Sequence, residues 1–301
     1  MVAYLFAGQG SQYVGMGRDF YDSFPESKAV FDRADKVLGF SVSRLCFEGP
    51  KEELTRTDNS QPAIFAVTMA AFEAFKARMG GKPEPPKYAA GLSLGEYTAL
   101  VASGSMVFED ALLLVKKRGD LMEEASRKNP GKMACVIGMD IKAIEDLCRG
   151  FGCEVANLNC PGQVVVSGKT NNIELFASFA KEKGAKRVIM LDVSGPFHSS
   201  LMTYARDRLK DYIDKARISP PKISFVSNVD AKIQTDPAKI KENLINQVNT
   251  KTLWEESVRL VAGNNIKTFL EIGPGQVLKG LLKKIDPKLE VKNIGTAEDM
   301  R

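Results

Sequence analysis

At 301 residues the chain is long enough to bury a sizeable core and to form one or two domains. Its apolar content of 44% and charged content of 26% are those of a folded globular protein and exclude wholesale disorder. The net charge of +5 is dispersed over short clusters around 116–118, 181–187 and 279–284, with no long basic block interleaved with aromatics, which argues against nucleic acid as a partner and suits an acidic protein partner.

The first element in chain order is a strand over 2–6 with no basic segment before it, so no signal peptide is expected. No apolar run approaches the roughly 18 residues of a membrane span, so the expectation is a cytoplasmic protein with no membrane partner, and nothing in the sequence demands more than a monomer. A helix over 63–79, a strand over 88–92 and helices over 96–102 and 110–125 follow. After a breaker-rich stretch the pattern changes to strand 133–137, helix 141–149, strands 154–158 and 163–167, helix 172–183 and strand 187–192. That order, βαββαβ, is the ferredoxin-like split βαβ pattern. The chain then returns to helix 201–215, strand 223–226, helix 253–262 and strand 268–272. Alternation of this kind predicts an α/β core with a mainly parallel sheet. The boundaries are drawn at 1–127 and 197–301 for a discontinuous core domain and at 128–196 for an inserted small subdomain.

The loop after the first strand, Gly8-Gln9-Gly10-Ser11-Gln12-Tyr13, lacks the third glycine of a dinucleotide fingerprint and the Gly-Lys-Ser/Thr of a P-loop. The later Gly168-Lys169-Thr170 also fails as a P-loop, because five residues rather than four separate it from Gly162 and the stretch between reads as a strand. Five cysteines (Cys46, Cys135, Cys148, Cys153, Cys160) form no C-x-x-C pair, and with one histidine in the chain no metal site is expected. Their expected state is reduced, mostly buried thiol.

Three features carry chemistry. Gly91-Leu92-Ser93-Leu94-Gly95 sits between a strand and a helix, as a nucleophile elbow requires, although a serine N-cap in an ordinary turn has the same composition. Arg118 falls on the apolar stripe of its helix, formed by Ala111, Leu114, Val115, Leu121, Met122 and Ala125. A guanidinium there needs an anionic partner, either a structural Asp or Glu or a substrate carboxylate. His198, the only histidine, follows Gly195-Pro196-Phe197 and is either a packing residue or the general base for Ser93. Asp192 stands between them in sequence and is the obvious candidate for the third member of a triad, but as the end of a strand in the small subdomain it reads rather as a solvated carboxylate.

Together with Phe6-Ala7-Gly8-Gln9-Gly10-Ser11-Gln12, Arg118-Gly119, Asn159-Cys160-Pro161-Gly162-Gln163, Ser194-Gly195-Pro196-Phe197-His198-Ser199 and Glu271-Ile272-Gly273-Pro274-Gly275, the elbow resembles the malonyl-CoA:acyl carrier protein transacylase family along nearly the whole chain. The resemblance implies a hydrolase-like α/β core with an inserted ferredoxin-like subdomain. It implies Ser93 as the acylated nucleophile, His198 as its base, the backbone N–H groups of Gln9 and Leu94 as an oxyanion hole, and Arg118 as the partner of the malonyl carboxylate. The imidazole would be oriented by a backbone carbonyl, at Gln247 by its spacing from Trp254, rather than by Asp192. Malonyl-CoA and holo acyl carrier protein are then substrate and partner, with no cofactor, in fatty acid synthesis. A serine thioesterase or esterase, or a transferase serving a polyketide pathway, are the alternatives. Leu92 stands where the family usually has His or Gln, which removes a side-chain hydrogen bond, and the bulky Phe197 resembles malonyl-selective members.

Overall fold

A computed structural model describes residues 1–80 and 86–300. Among the described residues ten strands are formed: β1 (Val2–Phe6), β2 (Tyr88–Gly91), β3 (Gly131–Ile137), β4 (Cys153–Cys160), β5 (Gln163–Lys169), β6 (Arg187–Met190), β7 (Ser224–Val226), β8 (Ile233–Gln234), β9 (Thr268–Ile272) and β10 (Glu290–Ile294). They build two sheets. The larger has the order β10-β9-β1-β2-β7-β8, parallel throughout except for the short antiparallel edge strand β8. The smaller is antiparallel with the order β4-β5-β3-β6, the spatial order of a ferredoxin-like βαββαβ unit.

The central strand β1 shows why the large sheet is parallel. All five of its residues are buried. Val2, Tyr4 and Phe6 pack with the long helices Thr57–Arg78 and Phe108–Lys128, whereas Ala3 and Leu5 pack with Trp254, Phe269 and Leu278 on the opposite face. A strand covered on both faces by helices reads as a continuous apolar run. In the small sheet Ala134, Val136, Val164 and Val166 face Ile144, Ile173 and Phe176 from its two helices. The strand expected over 187–192 ends at Met190, so Asp192 lies beyond the ladder and is exposed.

Three departures from the sequence expectation have physical causes. Helix Thr57–Arg78 begins six residues before 63, with Pro62 inside it. Proline removes a hydrogen bond and normally breaks a helix; here tertiary burial wins, since every residue from Ser60 to Ala71 is buried. Residues 18–55 form four helices: three have seven residues or fewer, too short to display a helical period, and the fourth, Pro25–Leu38, buries Ser27, Val30, Phe31 and Ala34 on one face. Helix Val277–Ile285 is held by Glu271, whose buried carboxylate accepts the backbone N–H groups of Leu278 at 2.9 Å and Lys279 at 2.8 Å. Burial raises the Glu271 proton affinity, and those two donors oppose the rise. The Glu271-Ile272-Gly273-Pro274-Gly275 motif thus ties a strand to the helix after it.

Candidate active site

Ser93 sits on a turn between β2 and helix Gly95–Ala102 with φ of 53°, in the left-handed region. A non-glycine residue there stores about 1 kcal/mol or more of strain, so the surrounding residues must hold it. The two flanking glycines make the turn possible by close approach. A Cβ on Gly91 would lie 2.0 Å from the Gly95 carbonyl carbon, and one on Gly95 would lie 2.2 Å from the Phe6 carbonyl oxygen. Asn228 then braces the turn at both ends: its Oδ1 accepts the Ser93 N–H at 2.7 Å and its Nδ2 donates to the Gly91 carbonyl at 2.8 Å. The elbow reading of the motif prevails over the serine N-cap, since no side chain caps that helix. Gly95→Ala is expected to lower unfolding stability by about 3 kcal/mol through overpacking, read as a lower urea midpoint, whereas Gly280→Ala, whose Cβ meets open space, leaves it nearly unchanged.

His198 also adopts a left-handed conformation, with φ of 56°. Its Nε2 lies 2.8 Å from Ser93 Oγ, and its Nδ1 lies 2.8 Å from the backbone carbonyl of Gln247. A carbonyl can only accept, so Nδ1 carries the proton and Nε2 is the acceptor for the serine hydroxyl. Burial, reinforced by the nearby Arg118 charge, pushes the imidazole down to about 4, against the opposing hydrogen bonds to the backbone of Gln247 and Thr250. It is therefore neutral at pH 7. Asp192 forms no hydrogen bond with His198; the orienting acceptor is the Gln247 carbonyl.

Arg118 is 1% exposed and has no carboxylate within ion-pair distance among the described residues. Its Nη1 donates to Gln61 Oε1 at 2.6 Å, and its Nη2 donates to Gln247 Oε1 at 2.9 Å and to Ser93 Oγ at 3.0 Å. The guanidinium carbon stands 5.7 Å from the Tyr97 ring centroid. Burial lowers its proton affinity, and Tyr97 and Glu96 oppose that change. Of the two sequence readings, direct pairing with a resident carboxylate fails: each of its hydrogen bonds among the described residues goes to an amide oxygen or a hydroxyl. A guanidinium has five N–H donors; Nη2 spends both of its hydrogens on Gln247 and Ser93, which leaves one on Nη1 and the buried Nε–H without a hydrogen-bond partner among the described residues. The next residue, Gly119, lets the helix approach the start of helix Thr57–Arg78, since a Cβ there would lie 2.8 Å from the Thr57 carbonyl oxygen.

Gln9 and Leu94, each one residue after a tight glycine or serine turn, bring their backbones to the same end of the sheet. Neither N–H has a hydrogen-bond partner among the described residues. A Cβ on Gly8 would lie 2.4 Å from the Leu92 carbonyl oxygen, so the first loop packs directly against the elbow. The Gln9 side chain is turned away to Thr57 Oγ1 at 3.1 Å. A cleft of about 710 Å³ opens at Ser93 and His198 and runs between the two sheets, lined by Leu92, Phe197, Met133, Asn159 and Val277 among others. Leu92 and Phe197 present it with apolar surface on either side of the serine and histidine.

Three residues in this network drew no comment in the sequence. Gln61 is a fully buried amide at the end of the polar stretch Thr57-Asp58-Asn59-Ser60 that opens its helix, where it does not stand out from its neighbours. Asn228 follows β7 and gave no local signal. Glu96, immediately after the elbow, is fully buried.

An acyl transferase domain model matches residues 3–297 of the chain. The chain belongs to the malonyl-CoA:acyl carrier protein transacylase family of acyltransferases. It is 44% identical over 302 residues to the malonyl CoA-acyl carrier protein transacylase of Bacillus subtilis, covering 99% of this chain and 94% of the relative. The acyl-carrier-protein S-malonyltransferase of Bartonella henselae superposes with a TM-score of 0.95 at 37% identity, covering 99% of this chain and 96% of that one. A malonyl-transacylase solved in complex with its type II PKS holo acyl-carrier protein also gives a TM-score of 0.95, at 36% identity, over 99% of this chain and 97% of its own. The two-sheet architecture is thus the family's own, and no helix among the described residues is long and apolar enough to cross a membrane.

Proposed function

We propose that the protein moves the malonyl group from malonyl-CoA to the phosphopantetheine thiol of acyl carrier protein through a malonyl-Ser93 intermediate. The observation that carries this reading is the position of Ser93 Oγ, 2.8 Å from the acceptor nitrogen of a neutral histidine and 3.0 Å from a buried guanidinium. His198 Nε2 takes the hydroxyl proton as Oγ attacks the thioester carbonyl. The free N–H groups of Gln9 and Leu94 stabilise the oxyanion at the start of helix Gly95–Ala102. The C–S bond then breaks, the proton on His198 passes to the departing thiolate, and coenzyme A leaves. The carrier thiol reverses these steps: it gives its proton to His198, attacks the acyl-serine and regenerates the Ser93 hydroxyl. Arg118, beside the nucleophile and with donors to spare, binds the free carboxylate of malonyl and so selects dicarboxylic acyl groups.

Transfer uses no cofactor on this reading, because the thioester itself supplies the activated acyl group. The same reading assigns a cytoplasmic monomer that supplies extender units for fatty acid synthesis. It keeps residues 1–127 and 197–301 as the core carrying Ser93 and His198, and 128–196 as the subdomain that closes the far wall of the cleft. Intact-mass measurement after incubation with malonyl-CoA tests it. One malonyl adduct is expected on the unaltered protein and none on Ser93→Ala, and the adduct should discharge rapidly to holo acyl carrier protein but slowly to water. Equal rates to carrier and water would make the protein a thioesterase instead.

A further inference from the structure

Glu96 is the one buried carboxylate in the network behind the nucleophile, and its two oxygens have different tasks. It is fully buried. Oε1 accepts the backbone N–H of Asn228 at 2.6 Å, the residue whose side chain braces the Ser93 turn at both ends. Oε2 accepts a hydrogen bond from Gln247 Nε2. The second Nε2 hydrogen goes to the Ser93 carbonyl at 2.9 Å. Gln247 Oε1 then faces Arg118 Nη2. Only one orientation of the Gln247 amide satisfies this set. Turned over, its oxygen would meet two acceptors and its NH2 would meet the guanidinium, and a buried mismatch of that kind costs the full desolvation of the groups involved.

We propose that Glu96 is a positioning residue for the carboxylate clamp: by holding Gln247 in that orientation it aims Arg118 at the acyl carboxylate beside Ser93. This rests on the reading of Arg118 as the malonyl-binding residue. Glu96 touches no reacting atom. Burial pushes its carboxyl up to about 7, with Asn228, Gln247, Ser227 and the Arg118 charge opposing the rise. A resident anion near the guanidinium would also compete with malonyl for it, so removing the charge and removing the alignment push selectivity in opposite directions. The sign of the change separates the two.

The readout is the ratio of kcat/KM for malonyl-CoA to that for acetyl-CoA, because damage to the nucleophile or base lowers both values whereas a misaimed clamp lowers the malonyl value alone. Glu96→Gln keeps the shape but places an NH2 against either Asn228 N–H or Gln247 Nε2. Glu96→Asp keeps the charge but withdraws it by one methylene. Each should lower the ratio about tenfold or more, the scale of one lost hydrogen bond in a charged network, and neither should lower it further in an Arg118→Ala background. A ratio that stays the same or rises in either folded variant, while Arg118→Ala alone lowers it, overturns the proposal and leaves the clamp intact. An Arg118→Ala protein with an unchanged ratio would instead remove the clamp itself. If thermal melting shows that both Glu96 variants fail to fold, the residue is structural and the proposal is equally overturned.

Discussion

His198→Ala should lower the rate of Ser93 malonylation by on the order of 10³-fold, the scale of lost general-base catalysis, with no other histidine in the chain to take over. The pH dependence of the unaltered protein should be unusual for an imidazole. The base works only when neutral, and burial with the Arg118 charge holds it down to about 4 rather than at the ordinary 6.5. As pH falls, the neutral fraction stays near one through pH 6 and is lost only as pH passes through about 4. Rapid-quench mass measurement of acyl-enzyme formation from pH 4 to 8.5 should therefore show no loss assignable to histidine between pH 8 and about 5. An inflection near 7 belongs to Glu96, which is pushed up to about that value. Replacing Arg118 with glutamine tests both assignments, since its charge holds down Glu96 as well as His198 and both inflections should rise. A His198 inflection that remains at 6.5 in the unaltered protein would contradict the buried, carbonyl-held geometry.

The parts of this site that the sequence made legible are those fixed by the backbone over a few residues. Gly91 and Gly95 frame Ser93 because a Cβ on the first would strike the Gly95 backbone and one on the second the Phe6 carbonyl of β1, and that constraint shows directly as G-x-S-x-G. Arg118 was conspicuous because a charge on an apolar helical stripe violates the amphipathic pattern. The alternation of strands and helices gave the parallel sheet, and the βαββαβ order gave the small one. Long-range pairings were another matter. The Gln247 carbonyl that fixes the His198 tautomer lies 49 residues away, and Gln61 lies 57 residues from Arg118. No local periodicity encodes either pair, and the Gln247 position followed from family resemblance alone. Asn228 was invisible for the same reason: its side chain meets the elbow only because β7 pairs with β2. Helix boundaries failed where tertiary burial overrode propensity, as at Pro62.

The site also separates two jobs that a triad combines. In a Ser-His-Asp arrangement a carboxylate orients the imidazole and stabilises its cation. Here a neutral carbonyl does the orienting, and the nearest strong charge is positive. An imidazolium formed during attack would thus be disfavoured by Arg118 until a second anion arrives beside it. Under the proposed function the malonyl carboxylate is that anion. Its pairing with the guanidinium would cancel the charge that opposes protonation of His198, coupling substrate binding to base strength through one residue. Acetyl-CoA brings no such anion, and discrimination against it should appear in kcat as well as in KM.

Arg118→Ala should accordingly show its largest effect on catalysis and a small one on folding. Truncating one partner of a buried, hydrogen-bonded charge pair typically costs several kcal/mol of binding, so malonyl kcat/KM should fall by about 10³-fold while acetyl turnover changes far less. Arg118→Lys should not rescue it: a single ammonium cannot reach Gln61 Oε1 and Gln247 Oε1 together and still present a planar fork to the ligand. The stability consequence runs the other way. A buried guanidinium with no directly paired carboxylate is itself costly to desolvate, and its removal offsets part of the cavity it leaves. Glu96, whose proton affinity Arg118 holds down, would rise further and become protonated at neutral pH instead of remaining an unbalanced buried anion. The change in unfolding free energy should then stay within about 2 kcal/mol, less than the cost of breaking a true buried ion pair. Denaturant titration beside acyl-CoA kinetics decides the matter. A loss of stability of about 4 kcal/mol with an unchanged malonyl preference would mark Arg118 as a structural arginine, whereas a nearly unchanged midpoint with the preference gone marks a guanidinium kept in the core for its ligand.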